Sequence, residues 1–218
     1  MKQGDNIKGL TFDKDGESGE KEKIEWLRLW CEDTDEKNLP RVALIGDSIT
    51  EQTFVTVKEK LSGIAKVDYL ATSYSILSKT YFNMVKSFCE DSEYSLIYIN
   101  YGLHAYNVSD DDYENAYREI VKTLMKKSKV IIGLTTSVKD YAYFNIDSEI
   151  WKTKIKNRNE RAIKIAKEFN LAVDDLYATS KNLGKEFRLD GDGVHFNDAG
   201  IKILGEQKAK IIKNILEN

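Results

Sequence analysis

Arg41-Val42-Ala43-Leu44-Ile45-Gly46-Asp47-Ser48 is an aliphatic run that stops abruptly at a glycine and two small polar residues. A short run of this kind, bounded by Pro40 and Gly46, reads as a strand buried on both faces. Ser48 then stands at a strand end. Working outward, similar apolar runs recur at 64–70, 96–101, 130–134 and 171–174. Between them, 51–61, 77–88, 113–126 and 151–169 carry apolar residues at helical spacing, and a last helix is expected over 199–216. Alternation of strand and helix implies an α/β domain with a parallel sheet. In such sheets ligands sit beyond the carboxyl ends of the strands. Ser48, Ser73, His104 and the loop after Leu134 each follow a strand and should converge there.

A second informative stretch lies just before the last helix: Leu189-Asp190-Gly191-Asp192-Gly193-Val194-His195-Phe196-Asn197-Asp198-Ala199-Gly200. Asp192 and His195 are close enough for one tight turn to bring carboxylate and imidazole together. Asp190 is a weaker alternative acid, being further along the chain from His195. Asn197 suits the N-cap of the last helix, with Asp198 favourable to its dipole, so His195 would stand at the entrance of a rigid element. An ordinary serine hydroxyl is a weak nucleophile that needs a base beside it. Ser48 as nucleophile, His195 as base and Asp192 as the group that fixes the base's tautomer make a coherent catalytic set. Asp47 reads as a turn-former bonded to local backbone.

The pair Gly46-Asp47-Ser48-Ile49 and Asp192-Gly193-Val194-His195-Phe196-Asn197 resembles the first and last sequence blocks of the SGNH/GDSL hydrolase family, over roughly 39–216. The resemblance implies a three-layer α/β/α, flavodoxin-like fold on a parallel five-stranded sheet. It also implies a Ser-His-Asp triad acting on carboxylic esters or thioesters through an acyl-enzyme. Two middle blocks depart from the family. Ser73 stands where a glycine is expected after the second strand, and only its backbone N–H would serve an oxyanion. His104 replaces the asparagine that follows the third strand. A neutral imidazole has one N–H, so it can donate only if its tautomer aims that proton inward. The implied oxyanion hole is the N–H of Ser48, the N–H of Ser73 and the side chain of His104. A catalytically degenerate glycan- or ligand-binding protein, and a lipase or thioesterase, are the alternatives within the family.

Composition bounds the rest. A chain of 218 residues with 41% hydrophobic and 32% charged residues and a net charge of -3 is an ordinary globular protein, without the basic stripe of a nucleic-acid binder. No segment reaches the roughly 20 apolar residues of a membrane span, and the start of the chain lacks the apolar core of a signal peptide, so a cytoplasmic location is expected. Cys31 and Cys89 fall in no metal-ligand or redox spacing and are expected to be reduced, with Cys89 packed beside Phe82 and Val85 on a helix. No metal or cofactor motif is present. A flavodoxin-like nucleotide binder would share the layer pattern, but a Gly-rich phosphate loop is missing.

Residues 1–38 read as an N-terminal extension in which Ile24, Trp26, Leu27 and Trp30 suggest a short docked helix, followed by one domain over 39–218. The aromatic stretch holding Tyr141, Tyr143 and Phe144, after the fourth strand, is a candidate substrate loop. No long apolar lid is evident. A short-acyl ester, such as an acetylated carbohydrate, is the expected substrate. The oligomeric state is open.

Overall fold

The alternating elements assemble, in a computed structural model that describes residues 21–22, 24–105, 107–139 and 148–218, into one mixed sheet flanked by helices. The strands are β1 (Leu27–Trp30), β2 (Arg41–Gly46), β3 (Lys66–Thr72), β4 (Tyr94–Asn100), β5 (Lys129–Gly133) and β6 (Ala172–Asp174). The helices are α1 (Ser48–Lys60), α2 (Lys79–Asp91), α3 (Asp110–Leu124), α4 (Ser148–Phe169), α5 (Leu176–Asn182) and α6 (Asp198–Leu216). The sheet order is β1-β3-β2-β4-β5-β6, parallel throughout except for β1. Leaving β1 aside, the order is the doubly wound flavodoxin-like one, with its switch point between β2 and β4. The nucleophile candidate follows β2 and the departing block follows β4, so both flank the crevice where such folds bind ligands.

Burial alternates along the central strands. Val42 and Leu44 of β2 with Leu96 and Tyr98 of β4 face a core built by α1, α5 and α6, while Ala43, Ile45, Ile97 and Ile99 face the one built by α2, α3 and most of α4. Side chains pointing to opposite faces at a period of two produce this division. Five of the six described helices have a side-chain cap at their start. Asp47 caps α1, Ser78 caps α2, Ser109 caps α3 ahead of three aspartates, Asp175 caps α5 and Asn197 caps α6.

Two elements differ from the sequence-based expectation. The Ile24–Trp30 region is no helix. Residues 27–30 form β1, antiparallel to β3 with Leu27 opposite Thr72 and Trp30 opposite Tyr69, which makes six strands where five were expected. Pairing with the otherwise open β3 edge outweighs the local helical spacing, and Leu27, Leu29 and Trp30 stay about half exposed. The short helix α5 was not anticipated, being too brief to show a period.

Two contacts lock α1 and α6 side by side. A Cβ on Gly205 would lie 2.6 Å from Thr56 Cβ, so glycine permits the close approach. Beneath it the fully buried Lys208 Nζ donates to Thr53 Oγ1 at 2.9 Å and sits 5.2 Å above the Tyr98 ring. Burial pulls this ammonium down to about 8, against the opposing pull of Asp47 and Asp174.

Candidate active site

The end of β2 is constrained at each residue. A Cβ on Gly46 would fall 2.1 Å from Thr50 Oγ1 and 2.6 Å from the Asn100 carbonyl, so only glycine lets β2 turn this tightly beside β4. Asp47, fully buried, accepts from the Ile49 amide at 3.0 Å. Burial raises its carboxyl above the ordinary range, an effect opposed by His104, the Ile49 amide, Lys208 and His195. Ser48 follows as the first residue of α1, where backbone N–H groups have no intrahelical acceptor.

His195 arrives on an arch between a 3-10 turn at Lys185–Phe187 and α6. Gly191 and Gly193 adopt left-handed backbone angles (φ 72° and 71°) on either side of Asp192. This curls the carboxylate back onto its own loop. Asp192 Oδ1 accepts from the amides of Val194 and His195, each at 2.9 Å, and Oδ2 meets His195 Nδ1 at 2.7 Å. Burial works to raise the Asp192 pKa, but these bonds and the imidazole charge outweigh it and hold the carboxyl below its ordinary range. His195 Nε2 lies 2.7 Å from Ser48 Oγ. With Nδ1–H committed to Asp192, Nε2 of the neutral ring is the lone pair that accepts the Ser48 hydroxyl proton. Asp190 makes no such contact.

Buried Arg188 holds the arch from below. It donates to the carbonyls of Gly193, Ser137 and Ser180 at 3.0 to 3.1 Å, and its guanidinium stacks 4.4 Å from the Phe196 ring. A second buried arginine does the same for the loop after β4. Arg158 donates to the carbonyls of Gly102 (2.9 Å), His104 (2.6 Å) and Ala105, the last in a left-handed conformation at φ 57°.

At the second and third blocks the site meets the N-terminal segment. Thr72 Oγ1 donates to the Trp26 carbonyl, continuing the β1–β3 ladder, and the Ser73 amide donates to the same oxygen at 3.3 Å. The expectation that this amide faces an oxyanion meets a competing acceptor, because the ladder runs one residue beyond β3. The Ser73 hydroxyl donates to Glu25 Oε2 at 2.7 Å and accepts from the Trp26 amide at 2.9 Å. His104 Nδ1 lies 2.7 Å from Glu22 Oε1, the Trp26 ring is edge-on at 6.0 Å, and His104 Nε2 is buried with no hydrogen-bond partner. Burial works to lower the His104 pKa. The hydrogen bond and charge of Glu22, with Asp47 and Glu25, override it and leave the pKa above the ordinary value.

Along the first turns of α1 and α6 lies a depression of about 600 Å³ lined by Gln52, Leu189, Phe196, Asn197, Asp198, Ala199 and Ile201. Tyr141, Tyr143 and Phe144, the expected substrate loop, lie outside the described residues. Among the described residues no group of three or more His, Cys, Asp or Glu side chains is gathered to hold a metal. No helix among them is long and apolar enough to cross a membrane. Cys31 and Cys89 are free, and burial pushes the Cys89 thiol up to about 12, far from a thiolate nucleophile at neutral pH.

Sequence reasoning missed Glu22, Glu25, Arg158, Arg188 and Lys208, and read Trp26 only as part of a docked helix. Of the five missed, two left a trace. Arg158 falls in phase with Trp151, Ile155, Ala162 and Ile165 on the buried stripe of α4, and Lys208 lies midway between Leu204 and Ile212 on that of α6.

The fold is that of the SGNH/GDSL hydrolases. No protein-family profile matches the sequence, and no curated protein does. Among solved structures, the lipase/acylhydrolase from Enterococcus faecalis superposes with TM-score 0.66 at 18% identity, over 80% of this chain and 96% of that one. A member of the lipolytic protein G-D-S-L family from Veillonella parvula does so with TM-score 0.63 at 17% identity, over 79% and 97%. An acetyl xylan esterase gives TM-score 0.63 at 16% identity, over 79% and 99%.

Proposed function

We propose that this chain is a serine esterase of the SGNH/GDSL hydrolase family that cleaves short-acyl carboxylic esters, with O-acetylated carbohydrates as the substrate class. The observation that carries the reading is the unbroken contact series from Ser48 Oγ to His195 Nε2, and from His195 Nδ1 to Asp192, each step 2.7 Å. Ser48 opens α1 while Asp192 and His195 share the arch before α6, far along the chain, so chance packing is a poor account of the Ser48–His195 contact.

In the reaction, Ser48 Oγ attacks the ester carbonyl carbon while His195 Nε2 takes the hydroxyl proton. Asp192 stabilises the imidazolium so formed. Collapse of the tetrahedral intermediate breaks the carbon–oxygen bond of the alcohol, which leaves with the proton from His195 and yields an acyl-Ser48. Water then repeats the cycle, giving up a proton to His195 as its oxygen attacks, and releases the acid and free Ser48. The Ser48 N–H and the His104 side chain are the oxyanion donors.

The substrate class draws support from two observations. The depression along the first turns of α1 and α6, whose lining residues flank Ser48 and His195 in the chain, mixes polar Gln52, Asn197 and Asp198 with apolar Leu189, Phe196 and Ile201, a lining suited to a hydroxyl-rich alcohol with one apolar face. One structural neighbour is an acetyl xylan esterase. A ligand-binding protein without turnover is the second reading, favoured by the Ser73 amide's bond to Trp26.

Turnover of p-nitrophenyl acetate and acetylated xylo-oligosaccharides, with covalent labelling by a fluorophosphonate, tests the proposal. Both are expected in the wild type and neither in Ser48→Ala. Undiminished turnover in Ser48→Ala refutes the mechanism, and binding of the sugar without labelling favours the second reading. A preference rising with acyl length would indicate a lipase or thioesterase instead.

A further inference from the structure

Resting on the hydrolase reading above, we propose that Glu22 is a positioning residue that keeps His104 an imidazolium, so that the oxyanion is met by a charged Nε2–H donor. The argument begins with proton counting. A carboxylate can only accept, so the 2.7 Å contact between Glu22 Oε1 and His104 Nδ1 requires the hydrogen to sit on Nδ1. In the neutral ring Nε2 then bears a lone pair, which would repel an oxyanion. Only the protonated ring can donate from Nε2.

The surroundings favour that proton. Glu22, Asp47 and Glu25 all act on the ring, and together they override its burial. The cation packed against the same loop, Arg158, spends its hydrogen bonds on the Gly102, His104 and Ala105 carbonyls. Glu22 is itself braced, since its amide donates to Glu25 Oε1 at 2.9 Å while Glu25 Oε2 accepts from Ser73. The loop of His104 follows β4 and the Ser48 turn follows β2, its hydrogen-bonded neighbour, so both lie at one edge of the sheet. There Nε2 is buried without a hydrogen-bond partner, so a charged N–H at that atom stays unsatisfied until an acceptor arrives.

The charge also offsets a shortage. The Ser73 amide is drawn onto the Trp26 carbonyl, leaving the oxyanion one backbone donor fewer. Hydrogen bonds with an ionised partner are roughly twice as strong as neutral ones, so one imidazolium can stand in for a missing neutral donor. The same N-terminal segment that takes the amide supplies Glu22.

The test uses Glu22→Gln, which keeps an acceptor for Nδ1–H but removes the charge. With only two histidines in the chain, ¹⁵N-histidine spectra read the His104 titration directly, assigned with His104→Asn. Glu22→Gln is expected to move that titration to lower pH. It should also pull the alkaline limb of kcat/KM for p-nitrophenyl acetate down with it. On the alkaline side kcat/KM should drop about 10²-fold, the loss that goes with one oxyanion donor, and the deficit should narrow toward acidic pH. In a His104→Asn background, which has no alkaline limb of this origin, Glu22→Gln should be silent.

An enzyme that turns over ester while Glu22→Gln leaves both the titration and the limb in place overturns the inference. So does an equal loss from Glu22→Gln in the His104→Asn background, which would mark a purely structural role. Failure of the hydrolase reading looks different: no turnover and no fluorophosphonate labelling in the wild type. The spectra then still decide whether Glu22 holds the charge.

Discussion

Replacing Lys208 by methionine tests the energetics of the helix pair that begins at Ser48 and just after His195. The fully buried ammonium titrates at about 8 against an ordinary 10.5, so the folded chain disfavours its charged form by about 3 kcal/mol relative to the unfolded chain. Below about pH 8 both states hold the proton, and the folded state bears the full cost of burying it. Between pH 8 and 10.5 the unfolded chain retains a proton that the folded chain has released, so stability rises with pH. By pH 10, about 2–3 kcal/mol of that cost has been recovered. Methionine has a similar length and nothing to titrate, so Lys208→Met lacks this rise. The assay is urea unfolding of both proteins at fixed ionic strength at pH 7, 8, 9 and 10. The wild type should gain about 2–3 kcal/mol on the variant across the series, with other titrations common to both cancelling. Parallel stability profiles would refute a buried, proton-releasing Lys208.

Three more outcomes are expected. Asp192→Asn should lower kcat for p-nitrophenyl acetate by about 10⁴-fold with little change in KM, because Asn cannot hold His195 in the tautomer whose Nε2 accepts from Ser48. Gly46→Ala should destabilise by about 2 kcal/mol and impair turnover, since its Cβ would press on the Asn100 carbonyl and Thr50; thermal unfolding beside a kinetic assay reads both. Arg188→Met should cost about 2 kcal/mol by taking the donor from the Ser137 and Ser180 carbonyls, Gly193 keeping the Lys139 amide, and Arg188→Lys should recover only part of it, having no fork to reach them together.

The parallel core was legible because its information is local. The run ending at Ile45 and its four counterparts are continuous apolar stretches, and the helices between them keep their period. Asn197 could be recognised as a cap because capping is decided within three residues. Ser48, Asp192 and His195 were legible as a set because two short motifs confine the geometry around each. What escaped depends on pairing across the fold. Whether 24–30 forms a helix or a strand is decided by the open edge of β3, which local spacing does not encode. Glu22 and Glu25 carry no motif, and they gain meaning only where β1 delivers them to Ser73 and His104. The buried Arg158 and Lys208 sit in phase with apolar neighbours, yet a charged residue on a core stripe reads as an irregularity until its acceptors are seen.

The edge strand β1 also bears on how the chain can be trimmed. Cutting at residue 38, where composition invites a boundary, would strip the covering strand from β3 and bare a row of amides and carbonyls to any passing extended peptide. It would also take Glu22 and Glu25 from their histidine and serine partners. A shortened chain with an intact Ser48, His195 and Asp192 would thus be a sticky protein with a rewired proton inventory, and measurements on it would describe a different molecule.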